Sequence, residues 1–403
     1  MVIGIIGAGA SGMAAALAAS ECDGAEVLLF ERQARVGRKL QATGNGRCNL
    51  TNIRADSQGL HGLDPEFSKF AISQFGVTDT LHWFEQMGLY TVAEDSGRVY
   101  PYSDQANSVV DVLRFALQRE NIRLICGSEV TKVKKTADGF RIESCEEVYV
   151  CDRLIIACGG LAGTKLGGSM SGYQLLRGFG HHMTKLRPSL VQLKSSWSGC
   201  AALKGVRAQC SITVFNGEDI HAKSGGELQF TEYGLSGPVV FEVSRDTCAT
   251  KGNWHCRLDF LPEISCDALF AALNKRRSSA LLTDELFTGI LHNRLGRVLT
   301  QSAGIRSGIA ISALRDDEIN AAVEAAKSLD VVITEPLGME HAQVTAGGAV
   351  TDEFDPQTME SRLVPGLFAC GEVLDIDGDC GGYNLQWAWS SGRLAGQCAG
   401  VEK

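Results

Sequence analysis

The chain's 403 residues suffice for two or three domains with real cores, and 44% hydrophobic with 21% charged residues is an ordinary balance for a globular protein. A net charge of −9, with no run near the ~18 apolar residues of a membrane span, argues against nucleic acid, an anionic membrane surface or a bilayer as partner. The 14 cysteines, Cys145 and Cys158 among them, form no C-x-x-C pair, which speaks against zinc, iron–sulfur and dithiol chemistry and leaves small buried hydrophobes of a reduced, cytoplasmic protein.

The first predicted element is a buried strand, Val2-Ile3-Gly4-Ile5-Ile6, and no basic stretch precedes it as in a signal peptide. It breaks into Gly7-Ala8-Gly9-Ala10-Ser11-Gly12 and then an Ala-rich helix over 13–20. Strand, G-x-G-x-x-G and helix together form a dinucleotide-binding fingerprint. Gly7 permits the turn, Gly9 admits a pyrophosphate, and Gly12 lets helix and strand pack, with Ala10 and Ser11 at the helix N-terminus facing the phosphates. A second strand over 26–30 ends at Glu31, where an acid hydrogen-bonds a ribose hydroxyl and disfavours a 2′-phosphate. The nucleotide is therefore of the FAD or NAD type.

Next comes a loop dense in glycine, amides and cations, Arg32 to Lys39 and then Thr43-Gly44-Asn45-Gly46-Arg47-Cys48-Asn49. Placed directly after the ribose-binding strand, it puts Arg38, Lys39 and Arg47 beside phosphates and main-chain N–H groups beside a ring. Helices follow over 65–75 and 77–87, a strand over 89–93, an amphipathic helix over 106–118, a parallel strand over 122–125 and a hairpin-rich patch to 150. The apolar strand 154–158 runs into Gly159-Gly160.

From 187 the pattern changes. Residues 187–261 alternate as short antiparallel strands of a barrel or sandwich, interrupted by Gly234-Leu235-Ser236-Gly237-Pro238, where Ser236 caps a helix. That run lacks the second glycine of a nucleophile elbow. Residues 262–335 read as helical over 265–276, 283–295 and 315–329. The chain returns to the first fold with strands at 331–334 and 342–346, a strand over 363–370 ending in Gly371-Glu372, and a final helix opening near Gly382-Tyr383-Asn384-Leu385-Gln386. Asp375, Asp377 and Asp379 imitate a calcium loop, but Cys380 and Gln386 stand where glycine and glutamate belong, so no metal is expected. Trp387 and Trp389 suit core packing or ring contacts equally, and His181 and His182 read as structural.

The run Val36-Gly37-Arg38-Lys39 through Asn45-Gly46-Arg47-Cys48-Asn49 resembles the BaiN/YhiN-like flavoproteins, also described as aminoacetone-oxidase-type enzymes, and the likeness extends over 3–52, 154–173 and 344–399. It implies an α/β fold: a glutathione-reductase-type, Rossmann-like FAD domain in two segments, 1–186 and 336–403, with an inserted substrate domain over 187–335 closing over the flavin. It also implies one non-covalent FAD, with Val130 at the adenine through its backbone, Ala157, Gly159 and Gly160 close to the cofactor, and Gly371 and Glu372 at ribityl and pyrophosphate. Gly382, Tyr383, Asn384 and Gln386 would then face the ring, as main-chain N–H groups at a helix start can. The activity implied is an oxidoreductase passing hydride between flavin N5 and either NAD(P)H or a small organic substrate, by enone reduction or small-amine oxidation. The competing reading is an FAD-binding protein with a tRNA-modification-linked or non-catalytic role. No general acid or base and no oligomeric state is indicated.

Overall fold

The computed structural model describes residues 1–55, 59–144 and 147–401; Cys145 lies outside them. The chain divides into two compact units, Met1–Pro188 with Ala342–Lys403, and Ser189–His341.

The first unit is built on a parallel five-stranded sheet ordered Leu367–Ala369, Arg153–Ile156, β1 (Val2–Ile6), β2 (Glu26–Glu31) and Ile122–Cys126. Its central strands are covered on both faces, so they are continuous apolar runs rather than alternating ones: Ile3, Ile5, Leu154, Ile155 and Ile156 are fully buried. Helix α1 (Ala10–Ala19) is buried at every residue from Ser11 to Ala19. It packs on the last helix, Tyr383–Gly400, through small residues. A Cβ on Gly392 would lie 2.4 Å from the Ser11 oxygen, and one on Gly396 2.2 Å from that of Ala15. The two backbones meet more closely than any side chain permits.

An antiparallel layer of Val130–Lys135, Phe140–Ser144 and Glu147–Cys151 and a small sheet of Thr51–Asn52, Arg98–Pro101 and Thr91–Ala93 complete this unit's larger sheets. Trp389 packs edge-on against Phe84 and donates its Nε1–H to the Leu50 carbonyl at 3.0 Å, while Trp387 donates to the Gly371 carbonyl at 3.2 Å. Both indoles are buried core anchors with their one polar atom satisfied.

The second unit is a closed barrel ordered Leu193–Ser195, Gly234–Ser236, Asp219–Thr231, Arg207–Asn216, Trp254–Asp259 and Leu329–Pro336, with helices Pro238–Ala249, Cys266–Asn274, Asn293–Ser302 and Asp316–Lys327. Four expectations are corrected here. The run 331–334 does not return to the first fold: Leu329–Pro336 closes the barrel, with Leu329, Val331 and Ile333 buried and Asp330 and Val332 exposed. A division into a β part over 187–261 and a helical part over 262–335 therefore fails, because the barrel's last strand follows the helices. Ser236 is no cap but a buried strand residue; Gly237, at φ 99°, precedes the helix, and a Cβ there would lie 2.6 Å from the Glu227 carbonyl. The expected helix over 283–295 is a 3-10 turn at Thr283–Glu285 followed, after Gly289 at φ 80°, by the helix from Asn293.

Candidate functional site

The glycine turn after β1 is set by contacts that exclude side chains. Gly7, at φ 105°, donates to the Phe30 carbonyl at 2.8 Å, and a Cβ on it would sit 2.5 Å from the Ala157 carbonyl oxygen. A Cβ on Gly12 would fall 1.8 Å from the Gly7 oxygen. Gly9 differs: its backbone is extended, and a Cβ there would meet no atom within 4 Å. No side chain caps α1 and no acid stands in its first turn, so the N–H groups and positive dipole end around Ala10 and Ser11 are met by no capping side chain beside Gly9.

Glu31 at the end of β2 accepts from Ala8 N at 3.0 Å through one oxygen and from Gln33 N at 2.8 Å through the other. These bonds aim the carboxylate while leaving it lone pairs for hydroxyl donors. Arg32 donates to the Gly167 carbonyl at 2.5 Å, and Arg38 to the Gln33 side-chain oxygen at 2.7 Å. The buried Val130 opens a strand two residues after Ser128, whose N–H bonds the Glu31 carbonyl at 3.0 Å.

Across the sheet, Gly159 (φ 68°) and Gly160 follow Arg153–Ile156, and Gly371 (φ 75°) with Glu372 follows Leu367–Ala369. A Cβ on Gly371 would lie 2.5 Å from the Ser11 hydroxyl, which places Glu372 beside the amino end of α1. The Glu372 carboxylate accepts from Lys39 Nζ at 2.7 Å and from Thr345 N at 2.8 Å, and a Cβ on Gly160 would fall 2.4 Å from it. Thr345, which also accepts from Ala162 N at 2.8 Å, was not anticipated. It stands in a short apolar strand with no local signal; only the fold brings it to Glu372.

The loop after helix α2 (Arg38–Ala42) holds Gly44, Asn45, Gly46 and Cys48 at φ between 57° and 86°, a run of left-handed residues that non-glycine side chains seldom adopt. Gly46 opens onto free space, and Asn49 turns inward with its Oδ1 buried and lacking a hydrogen-bond partner. Two expected contacts are corrected. Arg47 is directed to Asp104 and Glu94 and stacks 3.9 Å over Tyr100, so its cation is held away from a phosphate role. The Cys48 side chain is core, its thiol pushed up to about 12 by burial, and only its backbone shapes the loop.

Near the last helix, Gly382 at φ 108° packs against Thr51, whose oxygen would lie 2.4 Å from a Cβ, and the Tyr383 ring covers Gly59. The Asn384 side chain bonds both the N–H and the carbonyl of Gly378 at 2.8 Å, pinning the preceding turn. Gln386 is a correction: its main-chain N–H bonds the Gly382 carbonyl at 3.0 Å, its buried side chain accepts from Thr51 Oγ1 at 2.6 Å, and its two amide hydrogens are shared among Thr80 Oγ1, Ser390 Oγ and the Phe75 carbonyl. His181 is also structural, bonded to Glu353 at 2.8 Å and Ser361 at 2.9 Å and stacked on Phe354. Among the described residues no acid, cysteine and histidine group suits a metal, and no helix is long and apolar enough to cross a membrane.

These groups fit an extended dinucleotide carrying a ring. A cradle that a Cβ at Gly9 would occupy lies at a helix N-terminus, an aimed carboxylate stands at the end of β2, and the orphaned Asn49 oxygen calls for a donor.

The sequence pattern described as the HI0933-like protein Rossmann domain matches residues 1–398. The chain is 41% identical over 405 residues to a 3-dehydro-bile acid delta(4,6)-reductase of Clostridium scindens, covering 98% of each chain. It is 31% identical over 396 residues to a ribosomal RNA dihydrouridine synthase of Escherichia coli, covering 98% of this chain and 96% of that one. A solved flavocytochrome c3 fumarate reductase in its open conformation aligns over 99% of this chain and 78% of its own, with 15% identity and a TM-score of 0.49. The chain belongs to the HI0933-like, BaiN/YhiN-type family of oxidoreductases.

Proposed function

We propose that this chain binds FAD non-covalently and reduces a carbon–carbon double bond conjugated to a carbonyl in a small organic substrate, with NAD(P)H as the electron donor. The observation that carries the reading is the full-length 41% identity to a reductase whose name specifies such bonds. Bound FAD supplies hydride transfer, and the protein supplies binding, orientation and charge. Gly9 and the amino end of α1 receive the pyrophosphate, Glu31 the adenosine ribose, and Gly159, Gly160 and Gly371 let the backbone come close. Asn49 Oδ1 accepts from the ring. The sequence carries one complete G-x-G-x-x-G, so donor and oxidant take turns in a ping-pong scheme.

A second reading rests on the 31% identical relative, which acts on ribosomal RNA by name. Uridine too carries a double bond conjugated to a carbonyl, so the two readings share one chemistry and differ in substrate size. The net charge of −9 favours the small molecule.

The test is anaerobic mixing of purified protein with NADH or NADPH, followed by a 3-oxo-4,6-diene bile acid, by ribosomal RNA free of dihydrouridine, or by aminoacetone with the oxidised enzyme. Bleaching by a nicotinamide and reoxidation by the dienone support the proposal. Reoxidation by RNA alone moves the substrate to RNA, bleaching by aminoacetone alone makes the enzyme an amine oxidase, and no bleaching by any donor removes the oxidoreductase reading.

A further inference from the structure

Lys39 and Glu372 come from opposite ends of the chain, 333 residues apart, to form a half-buried ion pair at 2.7 Å beside the amino end of α1. Lys39 is fixed there because Gly37 N bonds the Ala8 carbonyl in the glycine turn at 3.0 Å and the helix that Gly37 caps starts one residue later. Glu372 has its own structural work: its second oxygen accepts from Thr345 N at 2.8 Å and its carbonyl from the Tyr173 hydroxyl at 3.4 Å, tying Val344–Ala346 to the turn after Leu367–Ala369. An acceptor is needed at that point; a negative charge is not. In a site for a dianionic pyrophosphate, that charge is unfavourable.

We propose that Lys39 is a positioning residue that neutralises Glu372, so that the acid can remain beside the dinucleotide phosphates, rather than a phosphate ligand in its own right. The inference rests on the FAD reading above. A like charge at this range, with the effective dielectric of a partly exposed site, weakens binding on the order of 10- to 100-fold.

Apoprotein prepared from wild type and variants is titrated with FAD while the quenching of flavin fluorescence is followed, and the thermal midpoint of each apo form is recorded alongside. K39M raises the FAD Kd by about 10- to 100-fold. K39R binds near wild type, and E372Q, which keeps the acceptor for Thr345, binds at least as tightly as wild type. The discriminating variant is the double one, K39M/E372Q, whose Kd returns to within about threefold of wild type because no unbalanced charge is left. The proposal is overturned if the double variant is as weak as K39M, which makes Lys39 a direct ligand, or if K39M alone binds like wild type. A wild-type protein that takes up no FAD at all removes the underlying reading instead.

Discussion

The carbonyl oxygen of Gly7 stands where a side chain on Gly12 would begin: a Cβ built on Gly12 falls 1.8 Å from it. The turn before α1 and the first turn of the helix itself are thus one closed unit. Gly9, between them, has a Cβ position with no atom within 4 Å.

These two glycines therefore respond differently to alanine. Gly12→Ala gains helix propensity of about 1 kcal/mol but must displace backbone, so the clash prevails and the apoprotein loses on the order of 1–3 kcal/mol or more. Gly9→Ala leaves the apoprotein's thermal midpoint unchanged and weakens FAD binding, since its methyl enters the space beside the helix N-terminus. Thermal melts of the apo forms and FAD titrations separate the outcomes; equal midpoints for both variants would contradict the geometry.

What was legible in the sequence follows from the range of each signal. Gly7, Gly9, Gly12 and Glu31 stand out through local spacing alone: Gly7 and Gly12 meet backbone where a Cβ would stand, Gly9 faces open space, and Glu31 accepts from Ala8 N. The run Leu329–Pro336 misled because its apolar residues suit a buried strand of either fold, and only its partners, Trp254–Asp259 and Leu193–Ser195, place it in the barrel. Thr345 and the Lys39–Glu372 pair were beyond reach of pattern, since nothing near residue 39 points to residue 372. The residues next to the final glycines were read through their main-chain N–H groups, and nothing in the motif indicates that the Asn384 and Gln386 side chains bond the protein itself.

Gln386 supplies the second prediction. Its amide satisfies Thr51, Thr80, Ser390 and the Phe75 carbonyl inside the core. Gln386→Leu takes the amide away from the Thr51 and Thr80 hydroxyls, while the Ser390 hydroxyl keeps its bond to the Phe75 carbonyl, and costs about 2–4 kcal/mol in urea unfolding. Any variant that folds should still bind FAD near stoichiometrically; selective loss of flavin at unchanged stability would restore the side chain to the cofactor.

Arg47→Ala tests the other reassignment. The guanidinium is held by Asp104 and Glu94 and lies over Tyr100, with about a third of the side chain exposed. Exposed pairs of this kind contribute below about 1 kcal/mol, so the unfolding midpoint moves little and the FAD Kd stays within about threefold of wild type. A tenfold or larger rise in Kd, with the low-salt dependence of a phosphate contact, would return Arg47 to the pyrophosphate.

The His181–Glu353 contact predicts acid sensitivity. Burial lowers the His181 pKa below 6.5, outweighing the Glu353 carboxylate, which acts to raise it. The neutral ring fits its partners: Nδ1–H donates to Glu353, and Nε2 accepts from the Ser361 hydroxyl, whose oxygen takes the Val364 N–H at 2.9 Å. Between the folded value and 6.5 the unfolded chain binds a proton that the folded chain does not, so this contribution is complete above pH 6.5 and is lost as pH falls. For Glu353, burial acts to raise the pKa, but hydrogen bonds from the ring and main chain of His182 and from His181 outweigh it and hold it below 4.5. Its contribution is present above pH 4.5 and disappears as pH falls through the folded value, in the same direction. Urea unfolding from pH 8 to 5 should show stability declining below about pH 6.5 with a slope of at most ~1.4 kcal/mol per pH unit from this histidine. His181→Gln, which keeps a donor and an acceptor but cannot titrate, should flatten that decline, and an unchanged slope in the variant would place the acid sensitivity elsewhere.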